Sequence, residues 1–309
     1  MFNLKKLAVY ALMATATATF SLSSQAAVPI EHWTLANGAR IYLASVNTLP
    51  ILDVEIDFDA GSRRDPAAQA GLASVMAGMV EKGVRASTSS TGLPANYAVA
   101  MDENALGEAW ADLGASFGVS AGPERLSFTL RTLSDPALLD RAVQLASRQI
   151  GAPSFPEPVW LSERERIGAA IKEANTKPAT IAGRAFSQAV YGDHPYGQET
   201  TAETLARIGV NDLRARYESL VVPCRAKLSI VGAVTRVQAE SIATTLLSRL
   251  PAGGSCAALP PVADVASLTA AKDERIPFES AQAHVFIGQP GYLRSDPDHF
   301  ALTLGNYIL

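Results

Sequence analysis

Histidine and cysteine, the side chains that most often hold metals or act as nucleophiles, are scarce in this 309-residue sequence, which has four of the first and two of the second. His32, His194, His284 and His299 stand apart, and none has a second histidine three or four residues away, so no helical face offers a ready pair of ligands. His194 precedes Pro195 in a turn and has no catalytic companion nearby, so its expected role is architectural. No serine is expected to sit in a nucleophile elbow of the Gly-x-Ser-x-Gly kind. An enzyme whose metal or nucleophile is gathered from distant segments leaves no local mark and stays open as a second reading. Clustered basic residues are absent too: 26 Lys and Arg stand against 30 Asp and Glu, a formal net charge of -4. Phosphate neutralisation needs such clusters, so nucleic acid is excluded as the partner.

Beyond the first residues no apolar run is long enough to cross a bilayer, so no stable membrane span is expected once the leader is removed. The leader itself is legible. Lys5 and Lys6 precede an apolar run over residues 7–22, and Ser24-Gln25-Ala26 ends it with small residues at a plausible cut, so 1–26 is expected to be a signal peptide and the product periplasmic or secreted. The alternative, a membrane anchor, fits less well because Thr and Ser dilute the run. In an oxidising compartment Cys224 and Cys256 are free to pair, but their spacing leaves a disulfide and two separate thiols equally open.

The rest, 48% hydrophobic, is that of a globular chain with enough apolar surface for a sizeable core. Its organising stretch is 71–84, GLASVMAGMVEKGV, where Leu72, Val75, Met76, Met79 and Val80 recur as one helical face behind an Asp65-Pro66 start signal. Ser74, Ala77 and Gly78 form a second stripe at i, i+3 and i+4, the spacing at which two histidines and a glutamate would share a metal and a water. All three are chemically inert for that work.

Before this helix, 31–35 and 39–44 flank Asn37-Gly38 as a hairpin, and 52–59 reads as a strand with Val54, Ile56 and Phe58 inward. After it comes a Ser/Thr/Gly/Pro-rich loop at 85–101, a helix capped by Asp102 and stopped at Gly114, and a strand pair at 116–120 and 126–133. Ser134-Asp135-Pro136 opens a helix to Ile150 that buries Leu138, Leu139, Ala142, Val143, Leu145 and Ala146. A helix at 159–175 follows, its charges reading as a solvated face interrupted by Gly168-Ala169-Ala170. Helices at 181–190, 204–208, 211–220 and 236–250 and a strand at 226–231 complete the pattern, followed by an aperiodic linker at 251–269, a strand at 283–287 and a helix at 297–309.

From residue 27 onward the chain resembles the pitrilysin/insulinase family of zinc peptidases, whose H-x-x-E-H motif sits on a helix after a strand and a Gly-Ser-Arg turn. The strand here is 52–59, the turn is Gly61-Ser62-Arg63-Arg64-Asp65, and the motif positions fall on Ser74, Ala77 and Gly78. The family's third ligand, a glutamate, aligns with Ala170, with Glu165 and Glu173 a turn to either side. His194-Pro195-Tyr196-Gly197 and the run 282–309 are similar to further family marks. The resemblance implies an α+β fold, an antiparallel sheet covered by helices on one face, with a first peptidase-like domain at 27–250, the linker, and the start of a second homologous domain at 270–309 that would continue in a longer protein.

It also implies zinc in active relatives and none here, no catalytic residues, and Gly168-Ala169-Ala170 packed closely against Ser74, Ala77 and Gly78 where relatives hold the metal. The expected function is that of a non-catalytic periplasmic subunit, structural or substrate-guiding, that holds a peptide or protein substrate along a strand edge and pairs with a zinc-bearing homologous subunit. The alternatives are an active metallopeptidase of the same family and a stand-alone peptide-binding or envelope protein.

Overall fold

A computed structural model describes residues 28–87, 98–251 and 256–308. The expected signal peptide, residues 88–97 of the expected loop, 252–255 of the expected linker and Leu309 lie outside the described residues.

The chain opens with the hairpin β1 (Glu31–Thr34) and β2 (Arg40–Ser45), turned at Gly38 with φ +89°. A side chain there would be strained, and its Cβ would stand 2.9 Å from that of Cys224. β3 (Ile51–Phe58), β6 (Ser116–Ala121), β7 (Leu126–Leu133) and β8 (Lys227–Gly232) complete a six-stranded sheet in the order β1-β2-β8-β3-β7-β6, while β4 (Gly83–Val84) and β5 (Met101–Asp102) pair separately. β3 lies inside the sheet between β8 and β7 and alternates strictly: Leu52, Val54, Ile56 and Phe58 are buried, while Asp53, Glu55 and Asp57 point to the other face. The α+β class holds, with one departure from antiparallel pairing among the described residues: β8 runs parallel to β2, because the chain reaches it by a long crossover through the helices and not by a hairpin.

Helices cover the buried face. α1 (Leu72–Val80) packs on β6, and α2 (Glu103–Asp112) follows β5 with the Asp102 side chain capping it through the Ala105 amide, as its sequence predicts. α3 (Pro136–Gly151) lies on β7 and against α8 (Arg236–Leu247), which reaches β2. Between α3 and α8 the chain forms α4 (Glu157–Ala174), α5 (Pro178–Tyr191), α6 (Ala202–Ala206) and α7 (Val210–Leu220). The buried side of α3 is wider than the apolar pattern implies, since Ser147, Arg148 and Gln149 are also enclosed. Gln149 accepts the Trp110 indole N–H at 3.0 Å, and Arg148 donates to the carbonyls of Arg85 and Val99, tying both flanks of the 85–101 segment to the core.

Aromatic residues are only 7% of the sequence, but six of them form one chain of contacts through this core. Trp110 stacks on Phe117 at 5.4 Å between centroids, Phe117 meets Phe128, and Phe128 meets both Phe58 and Tyr217, which in turn meets Phe155. Edge-to-face and offset pairs of this kind contribute about 0.5–1.5 kcal/mol each beyond burial.

Cys224 and Cys256 form a disulfide with their Cα atoms 5.9 Å apart. After it, residues 256–298 contain no helix or strand, and the expected strand at 283–287 does not form: Val285 and Ile287 are 76% and 93% exposed, with no sheet edge beside them to supply hydrogen bonds. α9 (His299–Ile308) closes the described chain with Phe300, Leu304 and Tyr307 exposed. Among the described residues no helix is long and apolar enough to cross a membrane.

Candidate functional site

α1 starts from Gly71 at φ +102°, where any Cβ would come within 2.5 Å of the Thr200 hydroxyl. Its cap is not the adjacent residue but Asp65, whose carboxylate accepts from the Gly71 and Ala73 amides at 3.2 and 3.1 Å across an intervening 3-10 turn. Asp65 is 6% exposed, and burial pushes its carboxyl up to about 6 against the pull of the two amides and the Arg216 guanidinium. Leu72, Val75, Met76, Met79 and Val80 all face the core, as the spacing predicts. On the second stripe Ser74 and Gly78 face solvent, while Ala77 is buried at 3% exposure.

The expected close packing of this stripe against Gly168-Ala169-Ala170 is not made. A Cβ built on Gly78 or on Gly168 meets nothing within 4 Å, and Ala169 and Ala170 are exposed. The reason lies in the phase of α4: Trp160 is buried, Ile167 and Ile171 pack on the core, and residues 168–170 are thereby turned outward. Glu165 and Glu173 are exposed as well, and Glu173 pairs with Lys177 at 2.9 Å. A zinc ion does not fit these positions, because a hydroxymethyl, a hydrogen and two methyl groups supply no imidazole or carboxylate donor. Among the described residues no group of three or more His, Cys, Asp or Glu side chains could hold a metal.

What the sequence reading missed lies one turn further along α1. Glu81 continues the stripe at i+7 from Ser74, and its carboxylate accepts the Val119 backbone N–H at 3.1 Å. Burial pushes the Glu81 carboxyl up from its ordinary value. Beside it Lys82 Nζ bonds Glu103 at 2.7 Å and lies 3.6 Å from Glu163, so an ion-pair bridge joins the end of α1 to α2 and α4. Extending the Ser74-Ala77-Gly78 stripe by one turn would have found Glu81; nothing local pointed to its partner.

Val119 belongs to β6, the outer strand of the sheet, beyond which no strand lies among the described residues. Alternation along β6 then makes Phe117, Val119 and Ala121 the residues whose amides point away from β7. This strand also corrects the expectation about serines: Gly-x-Ser-x-Gly occurs twice, at 114–118 and 118–122. Both patterns run along a strand, where no strained strand-to-helix elbow forms, and among the described residues neither Ser116 nor Ser120 is hydrogen-bonded to a histidine or carboxylate.

The histidines stay dispersed. His194 Nδ1 accepts the Tyr196 amide at 3.1 Å and Nε2 lies 2.8 Å from the Ala263 carbonyl, so the ring caps its own turn and fastens the segment after the disulfide. The neighbouring Tyr196 hydroxyl donates to Glu124 at 2.7 Å, Glu124 pairs with Arg63, and Arg63 and Arg64 both hold Asp59. Burial pushes the Asp59 carboxyl up, but the two guanidiniums outweigh it and leave it below its ordinary value. His32 lies against Tyr42 and His299 against Tyr292, far from α1 in role as in sequence.

A family profile described as "Peptidase M16 inactive domain" matches residues 207–309. No curated protein matches the sequence. Among solved structures, a peptidase M16 inactive domain from Pseudomonas fluorescens has a TM-score of 0.68 at 25% identity, covering 77% of this chain and 54% of its own. The periplasmic protease PqqL from Escherichia coli (TM-score 0.60, 18% identity, 77% and 24% covered) and pitrilysin (0.60, 20%, 78% and 25%) share the fold. The chain thus spans about half the length of the first of these structures and about a quarter of the other two. By profile over residues 207–309 and by fold over about three quarters of its length, this chain is similar to the pitrilysin/insulinase (M16) peptidases and their inactive domains.

Proposed function

We propose that this chain is a non-catalytic subunit of an envelope peptidase, holding an extended peptide along β6 while a zinc-bearing homologous subunit cleaves it. One observation supports the reading: the outer strand β6, with outward amides at Phe117, Val119 and Ala121, lies on the helix that carries Ser74, Ala77 and Gly78, which with Ala170 of α4 are the residues that the family resemblance sets at the zinc-motif positions. Such an edge reads backbone and tolerates varied sequences, which suits guidance more than selection. Residues 1–26, with the likeness to a periplasmic protease, support an exported location.

The test is binding followed by reconstitution. A fluorescein-labelled, unstructured peptide is titrated with the purified chain and with an Ala121→Pro variant, a substitution an edge strand tolerates because the lost N–H points outward. Binding that weakens at least about fivefold in the variant supports the reading, the loss of one charge-free hydrogen bond being of that order. Mixing with an H-x-x-E-H homologue from the same source should then raise peptide turnover above that of the homologue alone. Turnover by the present chain alone, or equal binding by both forms, contradicts it.

A further inference from the structure

The outward amides of β6 are not equally available. Of the three, the middle one is already occupied by Glu81, whose Oε1 lies 3.1 Å from the Val119 nitrogen and 4.0 Å from where a Cβ on Gly118 would stand. The flanking amides of Phe117 and Ala121 have no such acceptor among the described residues. A carboxylate oxygen in this place does what the carbonyl of an added strand would do: it satisfies an in-plane donor at the sheet edge. Glu81 follows the last turn of α1 and is half-buried, so its side chain has a route to solvent without unfolding the helix that carries it.

We infer that Glu81 is an internal plug of the β6 edge, a stand-in for one carbonyl of a bound peptide, and that loading an extended peptide requires this carboxylate to leave Val119. The inference rests on the peptide-holding reading of β6 and adds its regulation. The plug explains two features together. It protects an exposed edge from pairing with other chains, as natural sheets do with charges placed at their borders. It also sets the register, because a peptide carbonyl that fails to reach Val119 leaves Glu81 in place and gains only the flanking bonds. The charges that face Glu81 are Lys82, on the same turn, and Glu103 of α2. Lys82 is held by Glu103 and lies close to Glu163, so Glu81's hydrogen bond in the structure is to the strand and not to this lysine.

The test uses the same labelled peptide with the whole chain and two variants, Glu81→Ala, which removes the plug, and Glu81→Gln, which keeps its shape and its oxygen but not its charge. Affinity should rise about tenfold in Glu81→Ala and less in Glu81→Gln, since a charge-assisted bond need no longer be displaced. Amide exchange at Val119, followed by NMR without peptide, should be faster in Glu81→Ala than in the wild type. Binding by the two variants but not by the wild type would be the same result in stronger form. Equal or weaker binding by Glu81→Ala, with the wild type binding, overturns the plug and leaves the peptide site standing. Absence of binding by all three overturns both. Should Glu81→Ala fail to fold, Glu81→Gln alone decides, with unchanged affinity counting against the plug.

Discussion

Asp65 makes the root of α1 sensitive to pH in a direction opposite to that of most carboxylates. Its carboxyl is 6% exposed and lies near 6 in the folded protein against an ordinary 3.8, because burial outweighs the amides of Gly71 and Ala73 and the charge of Arg216. A raised folded value means the native state binds this proton more tightly than the unfolded chain does. Stability from this group is therefore complete below the unfolded value and is lost as pH rises through the folded one. The difference of roughly two units corresponds to about 3 kcal/mol between its limits, of which about 1.4 kcal/mol is gained on going from pH 7 to pH 5.

Other carboxylates, Asp59 among them, contribute in the reverse sense, so the comparison must be differential. Urea denaturation of the wild type and of Asp65→Asn, each at pH 7 and pH 5, isolates the group: asparagine keeps the shape and an acceptor oxygen for the helix amides but does not titrate. The wild type should gain about 1.4 kcal/mol relative to the variant on acidification. A difference that is flat with pH, or that moves against the wild type, refutes the claim that desolvation governs this carboxyl.

Opening the Cys224–Cys256 bridge releases a loop of 32 residues, for which chain entropy sets a loss of about 3–4 kcal/mol; urea midpoints with and without reductant measure it, and an unchanged midpoint contradicts the tether. Gly232→Ala should cost on the order of 2–4 kcal/mol by thermal melting, since φ is +145° and the new Cβ would stand 2.2 Å from the Ile51 carbonyl oxygen. Lys82→Met, by contrast, should cost under about 1 kcal/mol because its bridge to Glu103 and Glu163 is partly screened by solvent, and the loss should shrink in high salt. Ser74→His combined with Gly78→His should leave stability within about 1 kcal/mol, both positions facing open space; a collapse in the melting temperature would show that the stripe is packed after all.

Much of the fold between residues 31 and 247 is legible in sequence because its signals are local. The Asn37-Gly38 turn, the alternation of Leu52 to Phe58 and the caps at Asp102 and Asp135 each declare one element, and the structure has them. The inert stripe of α1 is equally plain, since absence of a donor needs no partner to be read. What escaped was pairing at a distance. The phase of α4 is set by how Trp160, Ile167 and Ile171 meet the core, so Gly168-Ala169-Ala170 turns outward although its composition suits a tight helix contact. The bond from Val119 to Glu81 joins residues 38 apart, and no periodicity announces it. The strand expected at 283–287 failed for the same reason: Val285 and Ile287 have strand propensity, but among the described residues no sheet edge pairs with them.

Ser74, Ala77, Gly78 and Ala170, which the family resemblance sets at the zinc-motif positions, offer no metal donor. Elemental analysis of the purified chain after dialysis against zinc, run beside a peptide-cleavage assay with and without chelator, tests this directly. The expected result is zinc well below one equivalent and no chelator-sensitive cleavage. One equivalent of retained zinc with cleavage that the chelator abolishes would contradict it.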